Sequence, residues 1–148
     1  SWEGRKAGSY KWFETQDTIA YHEDFSKPKI IYPNMTKFLP FYYDETNAFF
    51  TNQKCFIVTS ETESLETLTA IFNSSLFRSC FKDNFPELLG NTYELSKIFF
   101  EKIPIKKPAE KESRLFGSLV RLVQRAKKQT SAEMEVIGLF LEKVDYDL

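Results

Sequence analysis

Histidine occurs once in this chain, at position 22, and cysteine twice, at 55 and 80. None of the three has a second histidine, a cysteine partner or a carboxylate triad at ligand spacing, so no metal-ligating residue is nominated. A serine nucleophile would need His22 as its base, and no G-x-S-x-G elbow exists to present one. Glycine-rich phosphate loops of the G-x-x-x-x-G-K-S/T and G-x-G-x-x-G kinds are missing. So are the acidic-x-Lys triplet that many metal-dependent nucleases use and the N-P-P-Y or D-P-P-Y tetrapeptide of base-flipping amino-methyltransferases. No catalytic residue is nominated, and binding is the expected activity of these residues. Whether they belong to an enzyme is left open.

The 148 residues are 42% hydrophobic and include fifteen Phe, seven Tyr and two Trp, enough for a packed domain. Around Tyr10 and Trp12 the alternation suits a short strand, and DTIAYHEDF suits a helical turn or loop. The burst PKIIY (28–32) reads as a short buried strand. FLPFYYD (38–44) and AFFTNQKCFIVTS (48–60) flank a DETN turn and read as a hairpin. Ser60 and Glu63 have capping-box spacing, and Leu65, Leu68, Ile71, Phe72, Leu76 and Ser79 recur as a stripe, which predicts a central helix over 62–81. TYELSKIFFEKIPI (92–105) reads as a last strand, ended by Pro104. Phe72, Phe77, Phe81, Phe99 and Phe100 are expected in the core.

From Pro108 the pattern becomes helical. Leu115, Leu119, Leu122 and Ala126 share one heptad line, and Thr130 with Glu133 repeats the capping-box spacing before Ile137, Phe140, Leu141 and Val144. The expectation is an α+β fold: a small mixed sheet with a packed central helix over 1–106, then a helical hairpin over 107–148. Charge is segregated along this tail. Residues 106–128 hold eight Lys and Arg against two acids, and 129–148 hold one against five. Taken alone, that basic block reads as a solvated helix face or a packing helix. The two cysteines fit a reducing compartment and buried thiols. The first residues lack the apolar stretch of a signal peptide, and no apolar run is long enough for a transmembrane helix. A cytoplasmic protein without membrane contact is expected, and the chain, which does not start with Met, reads as a piece of something longer.

The order of these segments resembles a known family. Pro28-Lys29-Ile30-Ile31, then Leu68 to Ser74 (LTAIFNS), then Ile103-Pro104-Ile105 are similar to the strand, helix and "xxIPIP" strand of the TaqI-like C-terminal specificity domain. The similarity spans roughly residues 10–106, and LEKVDYDL (141–148) is similar to the start of a helical stretch that often follows. Lys106 departs from the family pattern by standing where a second proline is usual. The resemblance implies a target-recognition module of a bacterial restriction–modification enzyme or N6-adenine DNA methyltransferase. It implies double-stranded DNA and the methyltransferase or endonuclease domains of the same protein as partners. S-adenosylmethionine, and Mg²⁺ where there is a nuclease, would belong to the parent enzyme and not to these residues.

Given that implication, cations near N-terminal turns are phosphate candidates: Arg5, Lys6, Lys11, Lys27, Lys29 and Lys37. Amides near loops are base-reading candidates: Gln16, Asn34, Asn52 and Gln53. Tyr32 is a candidate for sugar or phosphate contact, and Lys29 with the Asn34 loop is expected to face outward. The alternative is a protein-interaction or scaffold domain that orients neighbouring domains or chains.

Overall fold

The computed structural model describes residues 7–11, 13–14 and 20–146, with side chains in the final helix described as far as Glu133. A 3-10 helix, Ala20–Ser26, leads into the strand β1, Lys29–Pro33. Then follow β2 (Met35–Thr36), β3 (Tyr42–Asp44), β4 (Cys55–Val58), the helices α1 (Leu65–Phe72) and α2 (Ser75–Asn84), and β5 (Glu87–Leu88). β6 (Thr92–Glu94), α3 (Lys97–Phe100) and the long α4 (Glu110–Tyr146) complete the chain. The fold is α+β, as its alternation of β-branched bursts and apolar stripes predicts.

β1 is the centre of one antiparallel sheet, with β3 on one side and β4 on the other. This corrects the hairpin read over 38–60: β3 and β4 do not pair, because β1 lies between them and satisfies both. β2, β6 and β5 form a second small antiparallel sheet, in that order. Asn34 joins the two, since its N–H donates to Lys54 O at 2.8 Å and its carbonyl accepts from Leu95 N at 2.8 Å.

The core is aromatic. Phe41 and Phe72 lie 5.0 Å apart between ring centroids, Phe72 and Phe100 4.9 Å, and Tyr32 stacks on Phe100 at 5.5 Å. Phe77, Phe81 and Phe85 extend it along α2. Phe72, Phe77 and Phe81 are buried as expected and Phe100 packs against them, while the side chain of Phe99 lies outside the described residues.

The single helix read over 62–81 is two. Ser60 Oγ does accept from Glu63 N at 2.9 Å, but this turn precedes the helix, and Ser64 is the residue that caps α1 by accepting from Thr67 N. α1 stops at Asn73, and Ser74 caps α2 by accepting from Phe77 N. Asn73, the C-cap of α1, keeps Nδ2 on Thr69 O and also reaches across to another partner. Its Nδ2 donates to Phe41 O at 2.8 Å and its Oδ1 accepts from Phe41 N at 3.3 Å, as a neighbouring strand would.

Gln124 of α4 does the same for Tyr43, accepting from its N–H at 3.0 Å and donating to its carbonyl at 2.9 Å. Two carboxamides thus finish the free edge of β3, which would otherwise leave backbone groups unpaired. The strand read over 92–105 is short, because after Glu94 the chain turns into α3, whose Phe100 points into the core.

The helical hairpin over 107–148 is corrected to one continuous helix of 37 residues. Thr130 does not cap a second helix; its Oγ1 donates back to Ala126 O at 3.0 Å within the same one. Its packing face is also one position away from the leucine line: Val120 is buried, Gln124 binds Tyr43, and Arg121 pairs with Glu66 of α1. Gly117 lies in this contact, against the Glu66 side chain.

Asn73→Leu should remove both hydrogen bonds to Phe41 and lower stability in urea unfolding by about 1–3 kcal/mol. Leu76→Ala, at an exposed position on α2, should stay within about 0.5 kcal/mol of the parent.

Candidate nucleic-acid interface

Two of the nominated side chains point into the protein. Lys29 is fully buried, with Nζ 2.8 Å from Asp44 Oδ2 and donating to Phe25 O at 2.9 Å. Both faces of the central strand are covered at this point, so the outward orientation expected for Lys29 is corrected: its ammonium has no path to a phosphate. Tyr32 is corrected likewise. It is 5% exposed within the aromatic core, and burial pushes its hydroxyl pKa up to about 12.

The Lys29–Asp44 pair is well satisfied. Asp44 Oδ2 also accepts from Phe49 N at 3.1 Å, and Oδ1 accepts from Ala48 N at 3.2 Å and from Thr46 Oγ1 at 3.4 Å. Burial works to raise the Asp44 pKa, but the Lys29 hydrogen bond and the two amides outweigh it and hold the carboxyl below its ordinary value.

The remaining candidates are spread over three places. Arg5, Lys6 and Gln16 lie outside the described residues. Lys11 is exposed, with Nζ 5.6 Å from the centroid of the Phe13 ring. Lys27, two residues before β1, is exposed and held by Asp24 at 3.0 Å, an interaction that raises its pKa.

Asn34, Asn52 and Gln53 are brought together at the opposite end of β1. The register places Pro33 across from Cys55, so the 52–54 turn that feeds β4 abuts Asn34. In that turn Asn52 Oδ1 accepts from Lys54 N at 2.9 Å and Asn52 O accepts from Cys55 N at 3.0 Å. This fixes the loop and leaves the Asn52 amide NH₂ and the Gln53 side chain on an exposed surface. Lys54, exposed in the same turn, was missed by sequence reasoning, although its position beside Asn52 and Gln53 in the polar TNQK interruption was the available signal.

Asn34 is half-buried, and its Oδ1 is shielded from solvent without a hydrogen-bond partner among the described residues. Lys37 follows directly on β2 and is exposed beside Phe38, whose N–H and carbonyl are both tied to Thr36 Oγ1. The 89–91 turn of the second sheet lies toward this same end of β2, because Thr36 is opposite Tyr93 and Leu88 opposite Thr92. Gly90 and Asn91 adopt φ of 77° and 58° there, and Leu89 is 99% exposed at the tip.

The described turns thus carry Lys54 with three amides at the end of the β1–β4 ladder, and Lys37 beyond the other end of β2. Such a surface can hold a polyanion and present donors and acceptors to base edges. Among the described residues no three His, Cys, Asp or Glu side chains gather as a metal donor set, and both cysteines are free and half-buried. No helix among them is long and apolar enough to cross a membrane.

A sequence model of the TaqI-like C-terminal specificity domain matches residues 2–105. The chain belongs to that family. The specificity-domain match takes in both sheets and α1 to α3, so every turn described above lies inside it. No curated protein matches the sequence.

Lys29→Met should cost about 3–5 kcal/mol, because it strands the Asp44 carboxylate, whereas Lys29→Met/Asp44→Leu should cost less than Lys29→Met alone. Asp44 has a lowered pKa in the folded state, so its stabilisation is complete above its ordinary value of 3.8 and is lost as pH falls through the folded-state value. Urea unfolding across the acid range should show that loss in the parent and not in Asp44→Asn.

Proposed function

We propose that this chain is a double-stranded DNA target-recognition module of a bacterial restriction–modification enzyme or N6-adenine DNA methyltransferase. The observation that carries the reading is the grouping of Asn34, Asn52, Gln53 and Lys54 at one end of the β1–β4 ladder, in a chain of the specificity-domain family. Lys37 and Lys54 act as phosphate contacts that fix register, and Asn52 and Gln53 read base edges. Lys11 and Lys27, with Arg5, Lys6 and Gln16, supply further contacts.

Catalysis belongs to other domains of the same cytoplasmic protein. Those domains bind S-adenosylmethionine and, where cleavage occurs, Mg²⁺. In this division of labour the module's work is to position duplex DNA, which needs a stiff scaffold and an exposed polar rim but no titratable residue tuned for proton transfer.

Binding to a random-sequence duplex library, titrated with salt, tests the reading. The chain should bind at low salt, and Lys37→Ala/Lys54→Ala should lower the slope of log K against log salt by about 2. Asn52→Ala/Gln53→Ala should leave the slope unchanged and flatten the sequence preference recovered by selection, by about 1–3 kcal/mol per base lost. Absence of duplex binding at low salt would overturn the proposal.

A further inference from the structure

A row of aromatic rings lies on the surface beside the Lys29 end of the first sheet. Tyr21 and Phe25 of the 3-10 helix are 6.1 Å apart between centroids, Phe25 and Phe50 5.4 Å, and Phe49 meets Tyr42 of β3 edge-on at 5.7 Å. Phe49 and Phe50, consecutive in the chain, join these contacts into one row. Three of the rings stand largely in solvent: Tyr21 is 58% exposed, Phe49 49% and Phe50 77%. Single apolar residues on a surface are ordinary, but a continuous run of rings marks a binding surface. The run is also held in place. Asn47 takes a left-handed φ of 56°, and the amides of Ala48 and Phe49 donate to the buried Asp44 carboxylate at 3.2 and 3.1 Å. The backbone that carries Phe49 and Phe50 is thereby fixed while their rings stay uncovered.

Cations adjoin one end of this row. Tyr42, which touches Phe49, also lines a cleft of about 110 Å³ with Thr46 from the loop and Arg121, Arg125 and Lys128 from α4. Steps of four and three residues keep these three cations on one face of the helix. The lining includes one acid, Glu45, and Arg121 is paired with Glu66 of α1. Arg125 and Lys128 are exposed and form no ion pair among the described residues.

The chemistry on offer is flat apolar faces beside two free cations. An apolar protein surface matches the rings and leaves the cations unpaired. A duplex matches the cations but keeps its bases stacked inside. An unpaired strand satisfies both, because its phosphates meet the cations and its bases have open faces for the rings. The register places this surface away from the 52–54 turn: Asp44 lies across from Lys29 at the start of β1, whereas Cys55 lies across from Pro33 at its end.

We propose that this surface is a second nucleic-acid site, one that binds single-stranded DNA. Bases stack on Phe49 and Phe50, and Arg125 and Lys128 hold the adjoining phosphates. The site is separate from the duplex-reading turns and does not depend on them.

Fluorescence anisotropy of a labelled oligothymidylate at low salt tests it, with an abasic strand of equal length as control and a duplex as comparison. The 148-residue chain should bind the oligothymidylate, and the abasic strand about tenfold more weakly. Phe50→Leu should weaken oligothymidylate binding about tenfold and Phe50→Tyr should retain it. Both variants should keep the parent's circular dichroism spectrum and its duplex binding. Arg125→Ala/Lys128→Ala should lower the slope of log K against log salt for the single strand by about 1.4. A parent chain that does not bind the oligothymidylate would overturn the proposal, even with duplex binding intact. So would equal affinity for the abasic strand, which would leave charge alone as the cause, or single-strand binding indifferent to Phe50→Leu.

Discussion

Lys29 and Asp44 face each other across the β1–β3 ladder, and the arrangement of the N-terminal half follows from that contact. Removing two charges from water is costly, and the cost is offset only when nearly every lone pair and proton finds a partner. Here the ammonium reaches back to Phe25 O in the 3-10 helix, and the carboxylate gathers Thr46, Ala48 and Phe49 from the loop after β3. One pair therefore fixes the segment before β1, the register of β3 and the path of the loop toward β4. An apolar pair could fill the same volume, but it would not select that loop conformation.

The same economy recurs at the sheet edge. β3 has one neighbour, β1, and its other side is completed by Asn73 and Gln124 acting as surrogate backbone. These amides tie the end of α1 and the middle of α4 to the sheet, so the helices are positioned by hydrogen bonds as well as by aromatic packing. With that side closed, what remains open is the far end of β1, where Asn34 joins the two sheets and the 52–54 turn projects. Rigidity on one side holds the turns on the other in place, which the proposed reading surface requires.

Much of this was legible in the sequence, and the failures have physical causes. Ile30 and Ile31 marked β1 because β-branched residues between prolines suit a short buried strand, and the Leu65-to-Phe72 stripe marked α1. Adjacency in sequence, however, does not say which strands pair, and β1 displaced the expected hairpin. The break at Asn73-Ser74 was hidden because α1 and α2 carry apolar stripes that read as one. The capping-box spacing at Thr130 misled because a threonine inside a helix can bond back to the preceding turn. The leucine line of α4 marked a helix, but the domain packs on the neighbouring face with Val120 and Gln124. Lys29 was the largest misreading: a lysine in a strand is normally outward, and only the position of Asp44 across the ladder reverses that. Among the candidate residues, Asn34, Asn52 and Gln53 were found as amides near turns, but their convergence depends on strand register, which a lone sequence does not specify.

The most direct test of the buried pair as organiser is amide hydrogen exchange at Ala48 and Phe49, followed from neutral to acid pH. Both amides donate to Asp44, so their protection factors should be high at neutral pH and fall together as the carboxylate is protonated, before the core amides of β1 lose theirs. Protection at Ala48 and Phe49 that persists through the titration of Asp44 would contradict the account.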